Sequence, residues 1–268
     1  MGNTFLVSFP HIGLNFHINP SISLFGLEIR WYALLIVTGI ILAVAFSIWE
    51  GKRIGVSSDT ILDVALISIP SAIIGARIYY VLFSIDSYSN FWDVFKIWEG
   101  GLAIYGGIIA GVASGIIYLR KKKLCVAKVA DLAGMGFLIG QSIGRWGNFM
   151  NGEAYGGPTD LPWGMFVEGG DFHVPVHPTF LYESLWNIIG FAILFFYRKH
   201  KKFDGEIFLL YVVWYGLGRA WIEGLRSDSL YVWSTNIRIS QLLAALAVLC
   251  GVIIISYKRY KLHKSKTE

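Results

Sequence analysis

Residues 31–53 read WYALLIVTGIILAVAFSIWEGKR, and this stretch decides the fold. From Trp31 to Trp49 there is no charged residue, and Lys52 and Arg53 close the run. A bilayer core is crossed by about 20 apolar residues in a helix, so this run has membrane length. The rest of the chain repeats the pattern. It has 268 residues, of which 55% are hydrophobic and 15% charged; soluble domains carry about 25% charged residues. Membrane spans are predicted near 31–49, 61–83, 102–119, 129–147, 178–197, 205–222 and 239–257, the fourth and sixth being weakest in hydropathy. The sequence therefore predicts an all-α, multi-pass membrane protein of seven transmembrane helices. Residues 1–268 read as a single integral membrane domain.

Charge orients the spans. Sixteen of the 23 Lys and Arg residues fall in four clusters: Lys52 and Arg53, Arg120–Lys123 with Lys128, Arg198–Lys202, and Lys258–Lys266. They follow the first, third, fifth and seventh spans. The positive-inside rule puts all four on the cytoplasmic side, so the N-terminus is expected outside and the C-terminus inside. The net charge of +5 is thus accounted for by topology, and no nucleic-acid partner is expected. The first Lys or Arg is Arg30, so no basic region precedes an apolar stretch and no cleavable leader is expected. Cys125 and Cys250 fall in an inner loop and in the last span, where neither suggests a disulfide.

The longest hydrophilic piece, about 148–177, reads as a small external head of short strands and turns. It holds Glu153, Asp160, Glu168 and Asp171 and no Lys or Arg. A second external piece, about 84–101, carries Tyr88, Phe91, Trp92 and Trp98, which read as an interfacial aromatic belt. Glycines recur every fourth position at Gly107, Gly111 and Gly115 and again at Gly136, Gly140 and Gly144. That spacing bares one helix face for close packing.

Polar residues concentrate at one depth. The run Gly144-Arg145-Trp146-Gly147-Asn148-Phe149-Met150-Asn151-Gly152-Glu153 follows directly on a membrane-grade apolar segment. A charge at that depth costs at least about 2.5–3.5 kcal/mol, which marks it as a functional-site candidate. Tyr215, Arg219, Glu223 and Arg226 are spaced by 4, 4 and 3 residues, within roughly 80° of one helix face. Arg77 lies in the outer third of the second span. Tyr32, Tyr105, His177, Tyr182 and Glu183 reach the same outer level from the first, third and fifth spans. Each admits a structural reading: Arg77 snorkelling, Arg219 and Glu223 neutralising each other, Tyr32 in an aromatic belt, His177 capping the fifth helix. Three arginines in the outer thirds of spans are harder to dismiss. Guanidiniums facing a leaflet invite a phosphate, and lipid head groups are its source.

Other chemistries fit poorly. His173 and His177 are separated by Pro175 and share no helix face, and no carboxylate completes a zinc set, so no metal is expected. Gly140-Gln141-Ser142-Ile143-Gly144 has a serine-hydrolase spacing but lies in an apolar helix rather than on a strand-to-helix elbow. A lipid or anion transporter would continue its polar path inward, where the spans offer mainly Asp63 and Asp131. A seven-span receptor leaves the Arg/Asn/Glu run unexplained.

The ten-residue run, with Gly156 and Thr159 after it, resembles the signature of bacterial prolipoprotein diacylglyceryl transferases. So do Arg30-Trp31-Tyr32, Gly75-Ala76-Arg77, Trp98-Glu99-Gly100-Gly101 leading to Gly106-Gly107, His177-Pro178-Thr179 leading to Tyr182-Glu183, and Tyr215-Gly216 through Arg219, Glu223 and Arg226. The resemblance covers residues 30–226. It implies a multi-pass enzyme of the bacterial cytoplasmic membrane with its site toward the outer leaflet. That enzyme moves the diacylglyceryl group of phosphatidylglycerol onto the thiol of a lipobox cysteine in a prolipoprotein signal peptide. The products are a thioether and glycerol 1-phosphate, and the reaction is the first step of lipoprotein maturation.

By motif match, the essential arginines of the family correspond to Arg145 and Arg219, and its essential asparagine and glycine to Asn148 and Gly156. Tyr32, Glu153, Tyr215, Glu223 and Arg226 match further important positions. Arg145 and Arg219 would bind the phosphodiester, with Asn148, Tyr32 and Arg77 near the head group, and Glu223, His177 or Tyr105 would take the thiol proton. The family often has histidine where this chain has Tyr105, and a phenol is a poor base at neutral pH. Phosphatidylglycerol, the prolipoprotein and membrane lipids are the expected partners. The lipid carries its own leaving group, so no cofactor is expected.

Overall fold

A computed structural model describes residues 4–24, 26–85, 88, 90–227, 231 and 238–267. The side chain of Glu99, in the Trp98–Gly101 motif, lies outside the described residues. The chain is mostly helical, with α1 (Trp31–Ile54), α2 (Ser58–Phe83), α3 (Ile104–Lys121), α4 (Val126–Asn151), α5 (Thr179–Tyr197), α6 (Glu206–Ile222) and α7 (Ile239–Thr267). Helices α1, α2, α4, α5 and α7 are long and apolar enough to cross a membrane. At 17 residues α6 is shorter, and α3 has 18 residues with Arg120 and Lys121 in its last turn. Of the five, α4 is the least hydropathic, as expected for the fourth span.

The helices match the predicted spans closely, with one informative shift. The fourth was expected to end at 147 and the head to begin at 148, yet α4 runs to Asn151. Gly147 does not break it. The stop comes at Gly152, whose φ of +64° is left-handed. The Gly152 N–H donates to Phe149 O at 3.2 Å and the Glu153 N–H to Asn148 O at 3.0 Å, the paired bonds of a Schellman cap.

The all-helix expectation missed the N-terminal strands. β1 (Phe5–Phe9) pairs antiparallel with β2 (Leu14–Ile18), and β3 (Ser21–Leu24) with β4 (Leu27–Arg30). β1 also pairs with β5 (Phe166–Val167), with Val7 opposite Val167, giving the sheet order β2-β1-β5. Apolar residues alternate inward from this sheet. Val7, Phe9, Ile18, Met165, Val167 and Val176 bury a small core with Tyr155 and Phe180. The head at 148–177 is thereby completed by the chain's first strands.

The chain divides into two compact units, residues 1–46 with 130–268, and residues 47–129. In the first, Met135, Leu138, Leu194, Ile207 and Tyr211 form a buried core of α4, α5 and α6. In the second, α2 and α3 approach until side chains are excluded. A Cβ on Gly106 would lie 2.3 Å from Gly75 O, and one on Gly111 3.2 Å from the Ala72 Cβ. The glycine stripe of α3 is therefore a packing surface. On α4, Gly140 lies against Gly39 of α1, while Gly144 has open space beside it.

Candidate functional site

The site grows out of the last two turns of α4. Arg145 and Asn148 are three residues apart, so they share a helix face, and Arg145 Nη1 donates to Asn148 Oδ1 at 3.3 Å. Asn148 Nδ2 in turn donates to Glu153 Oε1 at 3.2 Å, and Asn151 Nδ2 donates to the same oxygen at 3.0 Å. A Schellman cap commonly brings its two flanking positions together through an apolar contact. Here those positions are Asn148 and Glu153, and the contact is a polar bond that carries the Arg145 network around the helix end.

Glu183, in the second turn of α5, is the centre. It is 4% exposed and takes three guanidiniums. Arg145 Nη2 pairs with its Oε2, Arg219 Nη1 with its Oε1 at 3.1 Å, and Arg226 Nη1 lies 3.7 Å from the same Oε1. The other edge of Arg219 pairs with Glu223 Oε2 at 2.6 Å. Arg238 Nη1 donates to the Glu223 main-chain carbonyl. Among the described residues, three arginines and two glutamates thus meet directly. Indole and hydroxyl bonds fix the frame beneath: Trp146 Nε1 donates to Ser184 Oγ at 3.2 Å, and Ser184 Oγ to Ser142 O at 2.9 Å.

The head supplies His177. Its main chain pairs with Gly157, and the Gly156 N–H donates to His177 O at 2.9 Å while the Gly157 N–H donates to Leu225 O at 2.9 Å. Gly156 is therefore pinched between two chain segments. A Cβ there would stand 2.7 Å from both His177 Cβ and Leu225 O, which only glycine avoids. His177 Nδ1 is 3.3 Å from Tyr182 OH, which accepts from Trp163 Nε1 at 2.7 Å. Burial pushes the His177 imidazole below its usual range, so it is neutral at neutral pH.

Tyr32, in the first turn of α1, lies on α4: a Cβ on Gly147 would fall 2.5 Å from Tyr32 Cδ2. Tyr215 lies one turn from Arg219 and stacks on Tyr211 at 5.9 Å. In the first unit the structure therefore brings together Arg145, Asn148, Glu153, Gly156, His177, Arg219, Glu223 and Arg226, with Tyr32 against the same end of α4.

Two of the residues singled out in the sequence belong to the second unit. Tyr105 is in the first turn of α3 and 39% exposed. Arg77, expected near a lipid head group, is buried and engaged by main chain. Its Nε donates to Val94 O at 2.7 Å, Nη1 to Gly100 O at 2.7 Å and Gly101 O at 3.1 Å, and Nη2 to Asp93 O at 2.8 Å. A guanidinium has five N–H donors, so four are committed to holding the segment after α2.

The residue least visible in the sequence is Glu183. It stood in a matched motif, yet it was not among the residues expected to act, because a lone glutamate gives no sign that arginines from two other helices converge on it. Gly147 and Arg238 were also missed. Among the described residues, no group of three His, Cys, Asp or Glu side chains is arranged to hold a metal.

Membrane-length helices with a guanidinium-rich centre at one end of three of them define a polytopic membrane protein. The family model for prolipoprotein diacylglyceryl transferase matches residues 20–257, and the chain belongs to that family. Among similar proteins, the phosphatidylglycerol--prolipoprotein diacylglyceryl transferase of Clostridioides difficile (strain 630) is 45% identical over 232 residues, 86% of this chain and 91% of its own length. The enzymes of that name from Finegoldia magna and Streptococcus pneumoniae (strain JJA) are 45% and 47% identical, over 88% and 90% of this chain and 94% of their own lengths.

Proposed function

We propose that this protein transfers the diacylglyceryl group of phosphatidylglycerol to the thiol of a lipobox cysteine in a prolipoprotein, the first step of lipoprotein maturation. The observation that carries the site assignment is the convergence of Arg145, Arg219 and Arg226 on Glu183. One carboxylate holds the arginine forks at the separation of a single anionic acceptor. A phosphodiester has the same charge and the same paired oxygens, so this frame is preorganised for it. In this reading seven spans cross a bacterial cytoplasmic membrane, the N-terminus is outside, and the site opens toward the outer leaflet.

Sulfur attacks the glyceryl carbon that bears the phosphate ester oxygen. The S–C bond forms as the C–O bond breaks, and the electron pair goes to the departing glycerol 1-phosphate. Charge builds on that oxygen, where Arg145 and Arg219 are already fixed, which is where electrostatic stabilisation is largest. Asn148 and Glu153 hold Arg145 and face the head group, with Tyr32 at the same helix end. Gly156 keeps the His177 segment against Arg226. His177 is the base that fits best, being neutral and next to Tyr182; the thiol proton passes to it and leaves with the phosphate product. Glu223, already paired with Arg219, orients that arginine. Tyr105 stays in the proposal on its motif match, and Arg77 as the anchor of the segment before α3. The lipid brings its own leaving group, so the scheme uses no cofactor.

Mass spectrometry of a lipobox peptide incubated with purified protein and phosphatidylglycerol tests this. The expected result is a diacylglyceryl mass gain on cysteine with glycerol 1-phosphate released, and silence from Arg145→Ala. Folded protein that binds phosphatidylglycerol and gives no gain would sink the transfer reading and favour lipid transport.

A further inference from the structure

Beneath the charged centre lies a second polar layer. One helical turn from Arg145 on α4 is Gln141, one turn from Glu183 on α5 is Asn187, and one turn from Arg219 on α6 is Tyr215, with Tyr211 a turn beyond. Helices α4 and α6 run toward the centre and α5 away from it, so these residues share a level about 6 Å deeper in the bundle. Part of the layer is internally satisfied: Gln141 Nε2 donates to Tyr211 OH at 3.1 Å.

Two oxygens of this layer are not. Gln141 Oε1 and Asn187 Oδ1 are buried and accept no hydrogen bond from any described residue. Asn187 is 1% exposed. Proteins seldom keep a buried amide oxygen without a donor, and each such group calls for an explanation. The chemistry of the pair is selective. Both are neutral acceptors, so they suit a neutral donor and offer nothing to a phosphate.

The transfer reaction brings one such donor, the cysteine S–H. Displacement at carbon requires the nucleophile on the side opposite the leaving group. With the phosphate at the Arg145 and Arg219 level, the sulfur stands deeper, within about 3–3.5 Å of the carbon before attack. That is the level of Asn187. Resting on the transfer reading above, we infer that Asn187 Oδ1, with Gln141 Oε1 in the same layer, accepts the S–H hydrogen bond of the substrate cysteine and positions the thiol in line with the glyceryl carbon. The amide does not take the proton; it holds and orients the thiol.

The test uses lipobox peptides whose cysteine is replaced by serine, which keeps a donor, or by alanine, which has none. As competitive inhibitors of the full-length enzyme, the serine peptide is expected to bind about fivefold more tightly than the alanine peptide. That factor corresponds to about 1 kcal/mol, one neutral hydrogen bond at 1.4 kcal/mol per tenfold. In Asn187→Leu the ratio should fall to about one with the KM for phosphatidylglycerol unchanged, and in Gln141→Leu it should shrink. The ratio is read within one protein, so a general loss of folding cancels. A wild-type ratio near one, a ratio that persists in both variants, or a parallel rise in the KM for phosphatidylglycerol would overturn the inference. Absence of product from wild-type enzyme and the cysteine peptide would instead remove the transfer reading beneath it.

Discussion

Helices α4, α5 and α6 carry buried charges at both ends, and the two ends are built differently. At the end near the head, among the described residues, Glu183 meets three guanidiniums, from α4, from α6 and from the chain just beyond α6. At the other end, Asp131 meets Lys201 Nζ at 2.8 Å and also the main-chain N–H groups of Gly205 and Phe208, each at 3.0 Å. Asp131 is therefore a cap for the start of α6, lent by α4, and satisfies donors that the helix cannot satisfy itself. Nearby Glu206, fully buried, accepts from Arg259 Nε at 2.8 Å and from Tyr197 OH at 3.2 Å, besides the Lys202 N–H. Carboxylates that bond backbone close a fold. A carboxylate shared by three arginines instead fixes their forks beside one another.

The comparison breaks most visibly if the guanidiniums prove dispensable. Arg145→Ala and Arg219→Ala should each lower transfer by at least about a hundred- to a thousandfold, the range for deleting a preorganised donor to a developing oxyanion. Arg→Lys at either site should recover little, because an ammonium lacks the planar fork. Product analysis on protein checked for folding reads both, and near-normal turnover would abolish the phosphate frame.

A smaller effect, about a hundredfold, is expected for His177→Gln at neutral pH, the lower range for general-base loss. The pH profile carries the sign. The unprotonated imidazole is the active form, and burial lowers its affinity for protons. The wild-type rate should therefore hold as pH falls through 6.5, the ordinary value for histidine, and drop only below it. That acid limb should vanish in His177→Gln. A limb that survives unchanged would move the proton transfer to another group.

Intermediate in size is Gly156→Ala. Its methyl group would meet His177 Cβ and Leu225 O at 2.7 Å, and overpacking of this kind costs about 1–3 kcal/mol. The displaced segment carries His177, so transfer should fall along with stability. Rate and unfolding midpoint measured on one preparation show whether they move together.

The five membrane-length helices were legible in the sequence because the thickness of a bilayer leaves few readings for a run such as 31–49. Arg145 and Arg219 stood out as candidates because a charge on an apolar run is costly and needs a reason. The end of α4 was not, since Gly147-Asn148 looks like a break, while the backbone turns left-handed only at Gly152. The N-terminal strands carried a period-2 signal in Phe5, Val7 and Phe9, overshadowed by the membrane pattern that follows. Glu183 was placed at the right level but given no role, because that role comes from arginines of α4, α6 and the chain beyond it. For Arg77 the sequence showed the charge but not its acceptors, which are carbonyls of the following segment.

The smallest effect on activity, and the sharpest control, is Asp131→Asn. The substitution keeps the shape and removes one acceptor oxygen. Whichever way the amide turns, either the Gly205 N–H and Lys201 or the Phe208 N–H faces an NH2 group. Burial pulls the Lys201 ammonium toward neutrality, but its hydrogen bonds to Asp131 and Asp204 outweigh that and hold it above its usual range. Lys201 is therefore charged at neutral pH, and breaking the pair there should cost about 3 kcal/mol, the low end for a buried pair that loses one partner. The unfolding midpoint should drop accordingly. Transfer per folded molecule should stay within about a factor of two, because Asp131 bonds Lys201, Gly205 and Phe208 and none of the residues assigned to the lipid or the thiol. If transfer fell in step with that of the Arg145 variant while the fold held, the two ends would be one coupled network, and the division between a closing end and a binding end would fail.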